Sequence, residues 1–219
     1  MIPLYDTLRS RRVPLVNWML ILLNGMAFYY ELKLGEDGLF RFIHIWGLVP
    51  FQLASNSAEA WPTIFSSMFL HGGWFHILSN MWVLFIFGDN VENRMGSGQY
   101  FLFYLACGFA AALAQTYLAP SSTTPVIGAS GAIAGVLGAY LIFFPRSRIA
   151  SLVPIFFIFT IVEIPAVLFL GFWFVSQLFS GWRALQGADV SAVAWWAHIG
   201  GFIFGMLTVY LFARKRYKE

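Results

Sequence analysis

The sequence predicts an all-α membrane protein with six transmembrane helices and both termini in the cytoplasm. Three observations support this fold class. Of the 219 residues, 59% are hydrophobic and only 11% are charged, whereas a soluble domain carries about 25% charged residues. Apolar segments long enough to cross a hydrocarbon core of about 30 Å recur along the chain. The basic residues are divided unevenly between the two sides that these segments define.

The apolar segments follow one another closely, which leaves room for a single domain. They run from Pro14 to Leu34, Ile64 to Phe87, Tyr100 to Leu118, Gly128 to Phe144, Pro165 to Trp182 and Ala192 to Phe212. We therefore expect a short N-terminal segment (1–13), a six-helix domain (14–212) and a basic tail (213–219). The first segment is too long for the apolar part of a signal peptide, and we interpret it as retained.

The basic residues predict the orientation. With the N-terminus inside, the cytoplasmic side holds Arg9, Arg11, Arg12, Arg94, Arg146, Arg148, Arg214, Lys215, Arg216 and Lys218, and the outer side holds Lys33, Arg41 and Arg183. The positive-inside rule then places both termini in the cytoplasm. The net charge of +3 therefore indicates orientation rather than nucleic-acid binding.

Two stretches do not fit simple spans. We expect the long, aromatic-rich loop 35–62 to lie in the outer interface. We expect residues 149–162 to form an interfacial segment on the cytoplasmic side, with a short hairpin about Pro154. Glu163 precedes Pro165 by two residues, a pattern typical of a helix start, which predicts a cap for the fifth helix. The single cysteine, Cys107, lies in an apolar run and is expected to be a packing residue.

A serine and a histidine occupy positions where a bilayer tolerates few polar side chains. Ser130 begins the fourth segment and His198 lies near the start of the sixth, and both segments enter from the outside. Polar groups at membrane depth are functional-site hypotheses by default. The fourth segment makes only about 25 Å of helix, so Ser130 is expected to lie below the surface, level with His198. Together they predict a nucleophile and its general base.

Glycines next to both residues favour a close approach of the two helices. Gly131 and Gly135 are four residues apart, as are Gly201 and Gly205, and such faces let helix backbones meet in lipid. If these two faces meet, Ser130 comes within hydrogen-bond reach of His198. The alternative interpretation is a glycine packing seam with an incidental serine and histidine.

A third polar cluster favours catalysis over packing. His76 and Asn80 are four residues apart and share a helical face. Both side chains can donate hydrogen bonds to a developing oxyanion, and the backbone N–H of Ser130, at a helix N-terminus, adds a donor. His71 is five residues from His76, and we expect it to be a hydrogen-bonding residue of the loop.

Other chemistries fit the sequence less well. The four histidines lack a spacing typical of zinc sites, so we predict no metal and no cofactor. Ala132 replaces the last glycine of a Gly-x-Ser-x-Gly elbow, and no strand precedes it. Glu163 is expected at the opposite face and Asp189 in a loop, which leaves His198 without a carboxylate partner. The mechanism expected is a Ser-His dyad rather than a triad.

The chain resembles the rhomboid intramembrane serine proteases. The motifs that carry the resemblance are His71 to Asn80 (His-x4-His-x3-Asn), Gly88 to Arg94 after the second helix, Gly128-Ala129-Ser130-Gly131, Val162 to Ala166, and Ala197 to Gly205. The resemblance implies a Ser130 nucleophile, His198 as base and acid, and oxyanion help from His76, Asn80 and the Ser130 amide. It also implies substrates that are transmembrane proteins, cut near the outer membrane boundary after a small residue. The fifth helix would be a lateral gate, and loop 35–62 would be embedded in the membrane.

Two departures limit the resemblance. Some members carry a Trp-Arg pair in the first loop, whereas Trp61 precedes Pro62 here. Some members stack a tyrosine on the catalytic histidine from the position that Ala134 occupies. We therefore expect His198 to be oriented by a neighbouring aromatic residue or by water.

The function expected is an intramembrane serine endopeptidase in a bacterial or archaeal plasma membrane, with its active site toward the outer side. The partners expected are transmembrane protein substrates and the lipid bilayer, without nucleic acid, and the sequence indicates no oligomeric state. The alternative is a catalytically silent relative that binds transmembrane helices. A transporter or channel, the third interpretation, would need intramembrane charges along a path.

Overall fold

A computed structural model describes residues 1–8, 10, 12–155, 158–187 and 193–214. Within them the chain is mostly helical, as predicted, and it also carries one small sheet. The helices are α1 (Leu15–Glu31), α2 (Gly35–Trp46), α3 (Pro50–Ala54), α4 (Thr63–Ser66), α5 (Trp74–Met95), α6 (Ser97–Leu118), α7 (Ser130–Phe143), α8 (Ala166–Leu185) and α9 (Trp195–Phe212). The strands are β1 (Ile2–Asp6), β2 (Arg148–Ile155) and β3 (Ile158–Pro165).

Several predicted features lie outside the described residues. They are the basic residues Arg9, Arg11, Lys215, Arg216 and Lys218, the loop residue Asp189, and most of the tail 213–219.

Each predicted span overlaps one of the helices α1 and α5 to α9. The second span differs most, since α5 begins at Trp74 and ends at Met95 rather than running from Ile64 to Phe87. Gly72 and Gly73, which are poor helix formers, separate α5 from a preceding short helical stretch, and the two are bent by 79°. The motif Gly88 to Arg94 therefore lies inside α5 and not after it.

The helices are those of a membrane protein. Among the described residues, α6 and α9 are long and apolar enough to cross a bilayer, and a third span results if Ala58–Phe69 and α5 are counted as one bent unit. Helix α7 is apolar but has only 14 residues, which is about 21 Å of helix. The count of six spans remains a prediction.

Helix α7 is the centre of the fold. Every residue from Gly131 to Tyr140 is buried, and α7 packs against α5, α6 and α9. A Cβ on Gly201 would collide with the carbonyl oxygen of Gly131, and one on Gly205 would collide with the backbone of Gly135. The backbones of α7 and α9 are thus in direct contact. Cys107 is completely buried in the same core, which confirms it as a packing residue.

The long loop 35–62 contains helices α2 and α3 and a short 3-10 turn at Ala58–Ala60. Helix α2, which is described in full, has no buried residue and exposes Phe40, Ile45 and Trp46. The loop is joined to the segment before Ser130 by two backbone hydrogen bonds between Leu48 and Val126, of 3.0 and 2.7 Å. These bonds help to position the chain that leads into α7.

The sheet is antiparallel with strand order β1-β2-β3. Ile155 pairs with Ile158, so the expected hairpin is present, although its reversal follows Pro154 rather than being centred on it. Strand β1 was not predicted; Ile2 pairs with Leu152. The sheet lies at the end of α7 opposite Ser130, since β2 begins shortly after Phe143.

The predicted helix cap at Glu163 is wrong. Glu163 lies in β3 opposite Ala150, and α8 begins only at Ala166 because the hairpin continues to Pro165. The Glu163 carboxylate lies 4.0 Å from the Arg148 guanidinium, and both side chains are at least half exposed. An exposed ion pair of this kind contributes little stability.

The Gly88 to Arg94 motif connects three helices. The Glu92 carboxylate accepts hydrogen bonds from the backbone N–H groups of Val16 and Asn17, at 3.1 and 2.8 Å, and from the Ser97 hydroxyl at 2.6 Å. A Cβ on Gly88 would overlap the Asn17 side chain. The motif therefore caps α1 and holds α1, α5 and α6 together.

Candidate active site

Ser130 and His198 meet at the N-terminal ends of two helices. Ser130 is the first residue of α7, and His198 lies in the first turn of α9. The Ser130 Oγ atom and the His198 Nε2 atom are 2.8 Å apart. The contact between the backbones of α7 and α9 brings the two side chains this close, which is the distance that an activated serine requires.

Gln177 on α8 makes the second hydrogen bond of His198. Its Oε1 atom lies 2.8 Å from His198 Nδ1. An amide oxygen can only accept, so Nδ1 carries the proton and Nε2 presents its lone pair to Ser130. Sequence reasoning missed Gln177. The available signal was a buried glutamine in an apolar segment, since polar residues at membrane depth are functional candidates.

Two tryptophan rings complete the surroundings of His198. The Trp173 ring centroid is 6.0 Å away at an interplanar angle of 33°, and the Trp195 centroid is 6.1 Å away at 90°. Ala134, where some rhomboid proteases have a tyrosine, is buried in α7. We expected an aromatic residue or water to orient His198. Two aromatic rings do lie beside it, but the side chain that hydrogen-bonds its Nδ1 is the amide of Gln177.

His76 and Asn80 on α5 face the backbone just before Ser130. A Cβ on Gly128 would lie 2.6 Å from His76 Nε2 and 3.6 Å from Asn80 Nδ2. The backbone N–H of Gly72 points at His76 Nδ1 from 3.4 Å, which leaves the ring proton on Nε2. Gly128 has a φ of +119°, a conformation that favours glycine. Two donors are therefore aimed at the space beside Ser130.

His71 holds Asn80 in place. The Asn80 amide nitrogen donates to His71 Nε2 at 3.1 Å, and His71 Nδ1 lies 3.3 Å from the Phe69 carbonyl oxygen. The backbone N–H of His71 in turn donates to the carboxylate of Glu31, with distances of 3.1 and 3.2 Å. The expectation that His71 is a hydrogen-bonding residue of the loop is confirmed.

A cavity of about 460 Å³ opens onto the four polar side chains. Its remaining lining is mostly apolar and comes from the α5 N-terminus, the segment before α7 and the segment before α9. The residues that line it are Gly72, Phe75, His76, Ser79, Asn80, Pro125, Val126, Ile127, Ser130, Val193, Ala194 and His198. An apolar cavity with a few convergent polar groups is the usual form of a binding or active site.

Comparison with known proteins identifies the family. Residues 58–215, well over half of the chain, match the family model described as Rhomboid domain. The chain is 27% identical over 199 residues to Rhomboid-like protein 11, chloroplastic, of Arabidopsis thaliana, an alignment that covers 87% of this chain and 66% of that protein. It is 31% identical over 144 residues to the human Presenilin-associated rhomboid-like protein, mitochondrial, covering 64% and 35% of the two chains.

A bacterial relative bears the name of a protease. Rhomboid protease GluP of Bacillus subtilis (strain 168) is 39% identical over 97 residues, which are 43% of this chain and 18% of that protein. The chain thus spans from less than a fifth to about two thirds of the length of these relatives.

The fold and the polar cluster define a helical membrane protein with a serine and a histidine side by side in one cavity. The match to the family model and the similarity to the named relatives identify it further. The chain belongs to the rhomboid family. The relatives named above come from a chloroplast, a mitochondrion and a bacterium, so they support a membrane location but not the narrower expectation of a bacterial or archaeal plasma membrane.

Proposed function

We propose that this protein is an intramembrane serine endopeptidase in which Ser130 is the nucleophile and His198 is the general base and acid. The observation that carries the proposal is the 2.8 Å hydrogen bond between Ser130 Oγ and His198 Nε2 at the wall of the cavity. The relative named as a rhomboid protease supports the same reaction class.

The reaction proceeds in two half-reactions. His198 Nε2 takes the proton of the Ser130 hydroxyl as Oγ attacks the scissile carbonyl carbon, and then gives that proton to the departing amine as the C–N bond breaks. A water molecule, deprotonated by the same Nε2, hydrolyses the acyl-enzyme ester and releases the carboxylic acid. Ser130 regains its proton, so the enzyme returns to its starting state.

The oxyanion of each tetrahedral intermediate is stabilised by hydrogen-bond donors beside Ser130. These are the Nε2–H of His76, the side-chain amide of Asn80 and the backbone N–H of Ser130. The absence of a Cβ at Gly128 leaves room for the oxyanion between them. Removal of one such donor typically costs about 10²- to 10³-fold in kcat.

The wider arrangement belongs to the same proposal. Six spans, with both termini in the cytoplasm, place the cavity toward the outer side, where it receives transmembrane protein substrates. The domain consists of residues 14–212, flanked by 1–13 and 213–219, with loop 35–62 at the outer interface. The facing glycines Gly131, Gly135, Gly201 and Gly205 hold α7 and α9 in contact. The membrane is left unspecified, because the relatives do not favour a bacterial or archaeal plasma membrane.

A catalytically silent protein that binds transmembrane helices has no specific observation in its favour. Ser130, His198 and both side-chain oxyanion donors, His76 and Asn80, lie around one cavity. A transporter would need charged groups along a path, and the carboxylate Glu163 lies in the sheet at the other end of α7.

Cleavage of a model transmembrane substrate by purified protein in liposomes tests the proposal. We expect Ser130→Ala and His198→Ala each to lower the cleavage rate by at least about 10³-fold, and Ser130→Ala to keep the wild-type unfolding midpoint. Ser79→Ala is the matched control, because Ser79 also lines the cavity but its hydroxyl donates to the carbonyl of its own helix at His76. Full activity in Ser130→Ala would refute the assignment.

A further inference from the structure

Gln177 is an isolated buried amide in an apolar helix. Its side chain is 6% exposed, and it lies on α8, whose neighbouring residues are mostly aromatic or aliphatic. A buried amide with unmet hydrogen bonds is costly. The partners of both ends of this side chain therefore determine what it does in the molecule.

The amide nitrogen is held on the α8 side. It donates to the Trp173 carbonyl oxygen at 3.2 Å and to the Ser176 hydroxyl oxygen at 3.0 Å, and the Ser176 hydroxyl donates to the same carbonyl at 2.6 Å. A carbonyl oxygen can only accept, so a flipped amide would set two oxygens against each other. The orientation of Gln177 is thus fixed by its own helix.

This anchoring aims Oε1 at His198. Oε1 lies 2.8 Å from His198 Nδ1, so the neutral ring must carry its proton on Nδ1. The opposite nitrogen, Nε2, then has a free lone pair 2.8 Å from Ser130 Oγ. In the other tautomer Nε2 would carry the proton and could not accept the one that Ser130 gives up.

We propose that Gln177 is the positioning residue that fixes the tautomer and the ring orientation of His198 for general-base catalysis by the proposed dyad. This inference rests on the proposed function. In it, the neutral amide of Gln177 takes the place that a carboxylate occupies in a catalytic triad. A neutral acceptor avoids the cost of burying a second charge. When His198 becomes positive, its Nδ1–H bond to Oε1 becomes charge-assisted and therefore stronger, which stabilises the imidazolium.

Two substitutions separate positioning from packing. Gln177→Met keeps the length of the side chain but removes the acceptor, and we expect kcat to fall by about 10- to 100-fold with KM within about twofold of the wild-type value. Gln177→Glu retains an acceptor for His198 but loses the amide N–H that donates to the Trp173 carbonyl, so we expect it to keep more activity than Gln177→Met and less than the wild type. The acidic limb of its kcat–pH profile should move about one unit to higher pH, because a carboxylate favours the protonated ring.

The other side chains that act on His198 are the same in the wild type and in both Gln177 variants. Among the described residues, the titratable side chain that acts on His198 from a neighbouring helix is His76 on α5, and Ser130 faces it from α7. Ser176→Ala is the control for the local hydrogen bonds of α8, because the Trp173 carbonyl still anchors the amide. We expect its kcat to stay within about threefold of the wild type.

A spectroscopic measurement tests the tautomer without any assay of cleavage. The ¹⁵N chemical shifts of selectively labelled histidine should show His198 protonated at Nδ1 in the wild type, and a mixture of tautomers in Gln177→Met. The inference is overturned if Gln177→Met keeps the wild-type kcat and tautomer. It is also overturned if Gln177→Met and Gln177→Glu lose activity equally with no movement of the acidic limb.

The two proposals fail in different ways. Persistent cleavage by Ser130→Ala would refute the protease assignment, whereas the ¹⁵N spectra would still report the tautomer. A strict requirement for Ser130 and His198, combined with indifference to Gln177→Met, would refute the positioning role alone.

Discussion

Substitution of Gly201 by alanine tests the structural basis of the site without touching a polar side chain. A Cβ on Gly201 would collide with the carbonyl oxygen of Gly131 and would lie 3.5 Å from the Cβ of Ala111. Gly131 directly follows Ser130, and Gly201 lies one turn after His198 on α9. Any separation of α7 and α9 at this contact is therefore transmitted to the serine and the histidine.

The expected loss of activity in Gly201→Ala follows from how far α7 and α9 must move apart to admit the added Cβ. Ordinary contact with a Cβ begins at about 3.4 Å, and the obstructing atom belongs to backbone, which cannot rotate away. The two helices must move apart by on the order of 1 Å, and a misplacement of that size near reacting groups costs about 10²-fold in rate. We expect Gly201→Ala to lower kcat by about this factor while the protein remains folded.

The measurement is single-turnover cleavage of a model transmembrane substrate, compared with the rate at which a fluorophosphonate reagent labels Ser130. Gly25→Ala on α1 and Gly171→Ala on α8 are matched controls, since an added Cβ there meets nothing within 4 Å among the described residues. Both controls should keep the wild-type rate. Wild-type cleavage and labelling in Gly201→Ala would show that the site does not depend on this contact.

Two further predictions concern stability, measured as the free energy of unfolding in micelles. Glu92→Ala should destabilise the protein by about 2–6 kcal/mol, because two backbone N–H groups at the start of α1 lose their acceptor at a cost of about 1–3 kcal/mol each. Burial raises the pKa of Asp6 above its ordinary value of 3.8, and this desolvation outweighs the hydrogen bonds from Tyr140 and Asn90. The Asp6 contribution to stability is therefore complete below pH 3.8 and is lost as the pH rises through the raised pKa. Titrations between about pH 4 and pH 8 should show the wild type losing stability relative to Asp6→Asn, by at most about 1.4 kcal/mol per pH unit.

Each stability prediction has its own comparison. Glu163→Ala removes a carboxylate from an exposed pair with a 4.0 Å separation and should change the free energy of unfolding by less than about 1 kcal/mol. An equal effect of Glu92→Ala and Glu163→Ala would contradict the capping role of Glu92. A difference between Asp6→Asn and wild type that stays constant across the pH range would contradict the raised pKa of Asp6.

The main features of the site were predictable because they follow from local chemistry. Ser130 and His198 are polar residues at the starts of apolar segments, and the glycines beside them favour close helix packing. His76 and Asn80 are four residues apart, and because both lie in helix α5 they share one face of it. Hydropathy located every long helix. The observed helix ends differ from the predicted ones where the Gly72-Gly73 pair or capping groups begin or end a helix.

The features that escaped prediction depend on distant partners. Gln177 belongs to no motif, and its contact with His198 forms only because α8 packs against α9. Strand β1 is five residues long, and its partner lies far along the chain. Glu163 matched the pattern of a helix start, but the hairpin continues past it, because backbone pairing with β2 extends to Pro165.

The sheet also imposes an order on folding. Strand β1 is synthesised before β2, yet Ile2 pairs with Leu152, so its backbone has no partner until α7 and β2 have been made. Contacts of such long sequence separation form late, because the entropy of closing the loop must be overcome before they contribute any stability. We therefore expect the joining of β1 to β2, together with the Asp6 contact to Tyr140 on α7, to be a late step of assembly. It ties the first residues of the chain to the far end of the helix that carries Ser130.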